Sequence, residues 1–271
     1  MTTTRSVFSW MRNAAGRSTA EIVSVLKYLH VNRVELKCVD GSKRMYTGRS
    51  SAYAGEPNVT PELVHAIQSA GITVYGWGFN WGKDPAGELS AAIAEVDRLG
   101  LVGWVWDVEE TFLQQKDPPA IMNSLGMGMS AAFPDLIQGF CCMPILHKPG
   151  DPKNPYWNRK VWEAAALYCA EGIPMAYWYK TNLQAAGDFV VESILQWQEG
   201  FEWEVIPALR AWYQWNGQVQ PSWIRSIVQR TIAAGRYGLT WWSLDEILKW
   251  PALYRAIAET YDELEEEGIL L

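Results

Sequence analysis

The chain switches between two hydrophobic periods, and it does so eight times. Short β-branched and aromatic runs, in which neighbours point to opposite faces, are each followed by a segment with apolar residues three and four apart. The runs read as strands are Ser6–Trp10, Arg33–Val39, Ile72–Trp77, Leu101–Trp106, Leu136–Met143, Ile173–Tyr179, Glu204–Tyr213 and Tyr237–Ser243. Helices are expected over Thr19–Leu29, Thr60–Gly71, Pro85–Leu99, Pro119–Phe133, Arg159–Ala170, Leu183–Glu199, Pro221–Ala234 and Trp250–Glu266. Helix punctuation agrees: Thr60-Pro61 opens one helix and Gly71 closes it, and Gly100 follows Leu99. A strand–helix unit recurring at roughly 30 to 40 residues predicts a parallel sheet closed into an eightfold β/α barrel. The expectation is a single α/β TIM-barrel domain over residues 1–271, with rim loops at 40–58, 79–85 and 144–158. An open doubly wound sheet fits less well, because no glycine-rich phosphate loop follows the first strand.

Charge and motif content remove several classes of function. The net charge is −7, from 23 basic and 30 acidic residues, which argues against a nucleic-acid partner. The sequence holds no apolar run long enough for a membrane helix and no secretory leader pattern. A cytoplasmic location as translated is therefore expected, with export by another route left open. The cysteines, Cys38, Cys141, Cys142 and Cys169, form no C-x-x-C pair and read as buried thiols in a reducing compartment. The histidines are His30, His65 and His147, without metal-site spacing, so neither a metal nor an organic cofactor is expected. No G-x-S-x-G elbow is present, and a cysteine nucleophile would have only Cys141 or Cys142 beside His147.

What remains is carboxylate chemistry among aromatics. Gly100 to Phe112 begins as an apolar run and ends in acid, with Asp107 and Glu109 two residues apart. On a strand both side chains face the same way, and Val108 faces the other. Two acids at the C-terminal end of a buried strand cost free energy unless they are paired or used, and that end of a barrel carries its chemistry. The same rule sends to the mouth Trp10, Arg12, Lys37, Asp40, Trp77, Asn80, Trp81, His147, Tyr177, Tyr179, Lys180, Arg210, Trp212, Gln214, Trp242, Asp245 and Glu246. Glu109, with the longer reach, is expected to be the general acid and Asp107 its partner, with a pKa raised by a wall such as Trp104, Trp106 or Trp242. Trp77, Trp81, Tyr179, Arg210, Trp212, Trp242, Asp245 and Lys37 are the expected substrate-binding residues, since indoles stack on the apolar faces of sugar rings. Two plainer readings compete: Asp107 and Glu109 could pair with Lys37 and Arg210, and Asp245 could cap the last helix.

The run Ala70-Gly-Ile-Thr-Val-Tyr-Gly-Trp77, followed by a helix and then Trp106-Asp-Val-Glu-Glu110, resembles the glycoside hydrolase family 25 lysozymes. Val34-Glu-Leu-Lys-Cys-Val-Asp-Gly41 is similar to that family's lysine-bearing second strand, so the likeness covers about residues 31–112. Gly238-Leu-Thr-Trp-Trp-Ser243 looks like the last strand of many glycosidase-like barrels. The resemblance implies a carbohydrate substrate such as peptidoglycan, with Glu109 as acid. Where that family carries an aspartate after strand one, this chain has Ser9-Trp10-Met11-Arg12. The expected function is hydrolysis of a polysaccharide or glycoside. The alternative is a barrel that binds carbohydrate, or serves a structural role, without turnover.

Overall fold

The computed structural model describes residues 3–10, 18–46, 55–144, 159–178, 182–199, 201–211, 219–235 and 238–270. Among these, eight parallel strands run in chain order: β1 (Thr4–Ser9), β2 (Arg33–Asp40), β3 (Thr73–Asn80), β4 (Gly103–Val108), β5 (Ile137–Cys142), β6 (Glu171–Pro174), β7 (Glu204–Val205 with Ala208–Arg210) and β8 (Gly238–Trp242). Each pairs with the next, and β8 returns to β1. Eight helices alternate with them: α1 (Thr19–Tyr28), α2 (Pro61–Ser69), α3 (Pro85–Leu99), α4 (Pro118–Ala132), α5 (Arg159–Ala166), α6 (Leu183–Gln198), α7 (Ile224–Gly235) and α8 (Pro251–Glu266). The expected α/β barrel is the fold, although β6 and β7 are shorter than their apolar runs suggested.

The ring closes through β7, at a point where proline interrupts it. Pro207 has no amide hydrogen to donate, so the strand divides there. The first piece pairs with β6 and the second with β8. Hydrogen bonds carry the ladder across the break: Ile206 N donates to Gly172 O at 2.9 Å, and Thr240 N donates to Pro207 O at 3.0 Å.

Side chains alternate between the inside of the ring and the layer beneath the helices. Phe8, Tyr75, Trp77, Val105, Cys141, Ile173, Met175 and Ala208 form the inner cluster. Val74, Trp104, Trp106, Val108, Trp178 and Trp241 belong to the larger outer core. Trp104 lies flat on β3 because β3 offers it two glycines. A Cβ on Gly76 would stand 2.8 Å from the indole and 2.6 Å from Leu101 Cδ1, and one on Gly78 would stand 2.4 Å from Val39 Cγ2. Trp104 and Trp106 therefore do not wall the acids, contrary to the sequence expectation. The period of two that aligns Asp107 with Glu109 necessarily sends these indoles to the opposite face, where Trp106 Nε1 donates to Gln138 Oε1 at 2.8 Å.

The floor of the ring is an ion network that the sequence reading missed. Arg33 Nε donates to Glu35 Oε1 and Arg33 Nη1 to Glu171 Oε1, both at 2.7 Å. Its guanidinium also lies 4.4 Å over the Tyr75 ring. Thr240 Oγ1 donates to Glu35 and Tyr75 Oη donates to Glu171. All three charged residues are buried, and burial pushes the Glu171 carboxyl up against the pull of Arg33. Replacing Arg33 by Met leaves two buried acids without their cation. It is expected to lower unfolding stability by about 3–5 kcal/mol, measured by urea denaturation at neutral pH.

Candidate functional site

β4 delivers two acids to the barrel mouth because its extended geometry outlasts its pairing. Asp107 is the last inward residue in register, opposite Phe79 on β3 and Cys141 on β5. Glu109 is still extended, with φ −116° and ψ −167°, and a one-turn helix, Glu110–Leu113, starts immediately after it. Glu109 thus keeps the inward parity of Asp107, one step higher.

Both carboxyls line a cavity of about 500 Å³ at the C-terminal end of the strands. Trp10, Phe79, Tyr177 and Trp242 supply its aromatic walls, and Met143, Pro144 and Met175 its aliphatic ones. Trp242 is the hub of the aromatic side. Its ring centroid lies 5.3 Å from those of Phe8 and Trp77, 5.9 Å from Trp10 and 6.4 Å from Tyr177. The peptide bond between Trp242 and Ser243 is cis.

Burial holds the Asp107 carboxyl well above the usual carboxylate range, and the charge of Glu109 raises it further; Lys37 opposes both and Asp40 adds to them. The Glu109 carboxyl is raised by burial and by Glu110, again against Lys37. Asp107 Oδ1 is buried and makes no hydrogen bond among the described residues. The charge of Glu109 disfavours ionisation of Asp107, so the two titrations are linked.

The other sequence candidates divide. Trp242 lines the cavity. Trp77 is buried beneath it, with its Nε1 donating to Ser9 O at 3.3 Å. Lys37 does not line the cavity. Its ammonium pairs with Asp40 at 2.9 Å, so the expected neutralising pair with Asp107 or Glu109 is not the one formed. Trp81 Nε1 donates to the other oxygen of that same Asp40 at 2.8 Å. Arg210 is buried and its Nη1 donates to Trp178 O at 2.7 Å. Asp245 does not cap the last helix. It sits in the one-turn helix Leu244–Ile247 and accepts from Trp10 N at 2.7 Å, tying the end of β1 to the end of β8. Tyr179 and Trp212, together with Arg12, His147, Lys180 and Gln214, lie outside the described residues. Phe79, Met143, Pro144 and Met175 are cavity residues the sequence reading did not name. Phe79, Met143 and Met175 share inward parity with Trp77, Cys141 and Ile173, and that parity was the available signal.

Other chemistries find little support in the geometry. All four cysteines are buried and free. Burial pushes the Cys141 and Cys142 thiols well up, which disfavours the nucleophilic thiolate. Among the described residues, the group close enough together to share a metal ion is His30, Asp262 and Glu265. It joins the end of α1 to α8 rather than lying at the mouth. Among the described residues, no helix is long and apolar enough to cross a membrane.

The eightfold β/α barrel is a fold shared with solved glycoside hydrolases. No protein-family model and no curated protein matches the chain. Among solved structures, a GH18 chitinase from Pseudoalteromonas aurantia superposes with a TM-score of 0.70 at 16% identity, over 95% of this chain and 100% of that one. The spore cortex-lytic enzyme SleL of Bacillus megaterium QM B1551 matches with a TM-score of 0.64 at 10% identity, over 95% of this chain and 74% of that one. The endo-beta-1,4-mannanase of Thermotoga petrophila matches with a TM-score of 0.67 at 8% identity, over 98% and 77%. At such identities the likeness establishes the barrel. The family 25 resemblance rests on the short sequence runs alone.

The raised pair has a consequence for stability. An acid whose pKa is higher in the folded state binds more protons folded than unfolded, so stability falls as pH rises from the unfolded value, near 4, through the folded one. The variant Asp107→Asn removes one such group. It is expected to match wild type near pH 4 and to exceed it in stability at pH 8, measured by urea denaturation at both pH values.

Proposed function

We propose that the chain is a glycoside hydrolase acting on a polysaccharide, with Glu109 as general acid and Asp107 as its partner. The observation that carries this is the pair itself: two inward acids with raised pKa values, in an aromatic-walled cavity at the catalytic end of a barrel. A carboxyl held protonated near neutral pH can give its proton to the leaving glycosidic oxygen. Glu109, one step higher and partly exposed, is placed for that transfer. Asp107, buried beneath it with one oxygen unpaired, is placed to hold a developing positive charge. Trp242 and Trp10 offer indole faces for the sugar ring.

The pair also narrows the mechanism. Residues i and i+2 of one strand stand about 6.6 Å apart along a single wall, so they cannot flank a sugar from opposite faces. The facing side of the described cavity is aromatic and aliphatic: Trp10, Tyr177, Trp242 and Met175. Such a site suits a substrate that carries its own nucleophile, as in the substrate-assisted exceptions to the two-carboxylate scheme. The carbonyl oxygen of a 2-acylamino group is one. The chitinase and the cortex-lytic enzyme among the structural neighbours are in keeping with that substrate class, and a mannanase matches the fold as well. Asp107 would then orient the acylamino group while Glu109 protonates the leaving oxygen.

A second reading, a carbohydrate-binding barrel without turnover, is favoured by Ser9 and Trp10 standing where an aspartate was expected after β1. Turnover separates the two. Chitin oligosaccharides and peptidoglycan are expected to be cleaved and mannan is not. Glu109→Gln should lower kcat by about 10²- to 10⁴-fold, with glycan affinity by calorimetry retained. Binding without product release by the wild-type chain would favour the second reading.

A further inference from the structure

The hydrolase reading gives no role to Lys37. Lys37 is buried, its side chain only 2% exposed, yet it does not line the cavity. Its ammonium sits among three aromatic rings, 4.6 Å from the centroid of Trp10, 5.0 Å from Trp77 and 5.8 Å from Phe79. Two of these rings, Trp10 and Phe79, line the cavity together with the acid pair. Among the described residues this buried cation has several aromatic neighbours and one ion-pair partner, Asp40 at 2.9 Å.

Strand register fixes the height of that charge. The Lys37 backbone lies level with Trp77 on β3, and through it with Val105 on β4, one inward step below Asp107. Asp40 lies level with Phe79, and through it with Asp107 itself. The lysine side chain therefore climbs from the lower layer to place its ammonium at the level of Asp107, with Glu109 one step above. The two members of the ion pair are also unequally screened. The Asp40 side chain is 39% exposed, so water weakens its charge far more than that of Lys37. The net field reaching the mouth from this pair is positive.

We propose that Lys37 is a positioning residue for the acid pair: its caged ammonium favours negative charge on both carboxyls and so sets how readily the pair gives up a proton. This rests on the hydrolase reading for its catalytic meaning, but the charge assignment can be tested without it. Among the described residues, the titratable groups on the elements around the pair include Cys141 on β5, Tyr177 beyond β6, Arg210 on β7 and Asp245 after β8, with Glu110 beside Glu109 on its own segment. Arg210 donates to Trp178 O. The direction of the Lys37 effect agrees, since it opposes the rise at both carboxyls.

The experiment is a carboxyl ¹³C NMR titration of the full chain, with Asp107→Asn and Glu109→Gln used to assign the two signals. In Lys37→Met the Asp107 titration is expected to move up by about one to three pH units. In Lys37→Arg it is expected to stay near the wild-type position, because the charge is restored. Asp40→Asn leaves the cation unopposed and should move the Asp107 titration down. If turnover is observed, the acidic limb of kcat against pH should shift in the same directions. A folded Lys37→Met protein with both carboxyls titrating as in wild type would overturn the assignment, as would an upward move in Asp40→Asn. Should Lys37→Met fail to fold, the opposite-sign test on the half-exposed Asp40 decides. Titration shifts without glycan cleavage would sustain the role of Lys37 and count against the hydrolase reading.

Discussion

Closing the sheet leaves each strand residue one of two places, inside the ring or beneath the helices. Most of the remaining structure follows from that constraint. It sends Trp104 and Trp106 outward onto the glycines of β3 and into the outer core. It sends Asp107 and Glu109 inward and upward. It also forces charged residues from β2 and β6 to meet across the barrel axis, where Arg33 joins Glu35 and Glu171. The closure itself depends on a strand divided at Pro207, whose two halves serve different neighbours.

The two ends of the ring treat buried charge differently. On the floor, one guanidinium bonds two carboxylates that also accept from the hydroxyls of Tyr75 and Thr240, while Arg33 Nη2 and Glu171 Oε2 make no hydrogen bond among the described residues. The guanidinium bonds offset part of the cost of burying these acids. At the mouth the cation is an ammonium already bound to Asp40, and Asp107 keeps an unpaired oxygen. The acids there are desolvated without being neutralised, and their pKa values rise. Unfavourable burial of this kind is what a proton donor requires, and it is tolerated where the surrounding core is large.

Much of this was legible from the chain alone, and the failures have definite causes. The order of strands and helices could be read because local periods of two and 3.6 are set by backbone geometry. Asp107 and Glu109 could be read as neighbours for the same reason. The strand breaks were harder. Pro174 and Pro207 sit within apolar runs that looked continuous, and β6 ends and β7 divides at these prolines. The walls of the acids were misread because both faces of a barrel strand are buried, so hydrophobicity does not say which face is inside. Arg33, Glu35 and Glu171 were passed over because charge on a strand was sought only at its C-terminal end.

The sequence by itself determined which residues share a face, where each strand meets its helix, and that a pair of acids ends the fourth strand. Those properties depend on residues a few positions apart. The tertiary structure decided the partners: Lys37 with Asp40 rather than with the acid pair, Asp245 with the backbone of Trp10, and Arg33 with Glu171. The last two join residues 235 and 138 positions apart. Contacts over such separations exist only once the ring has closed, and no local period encodes them.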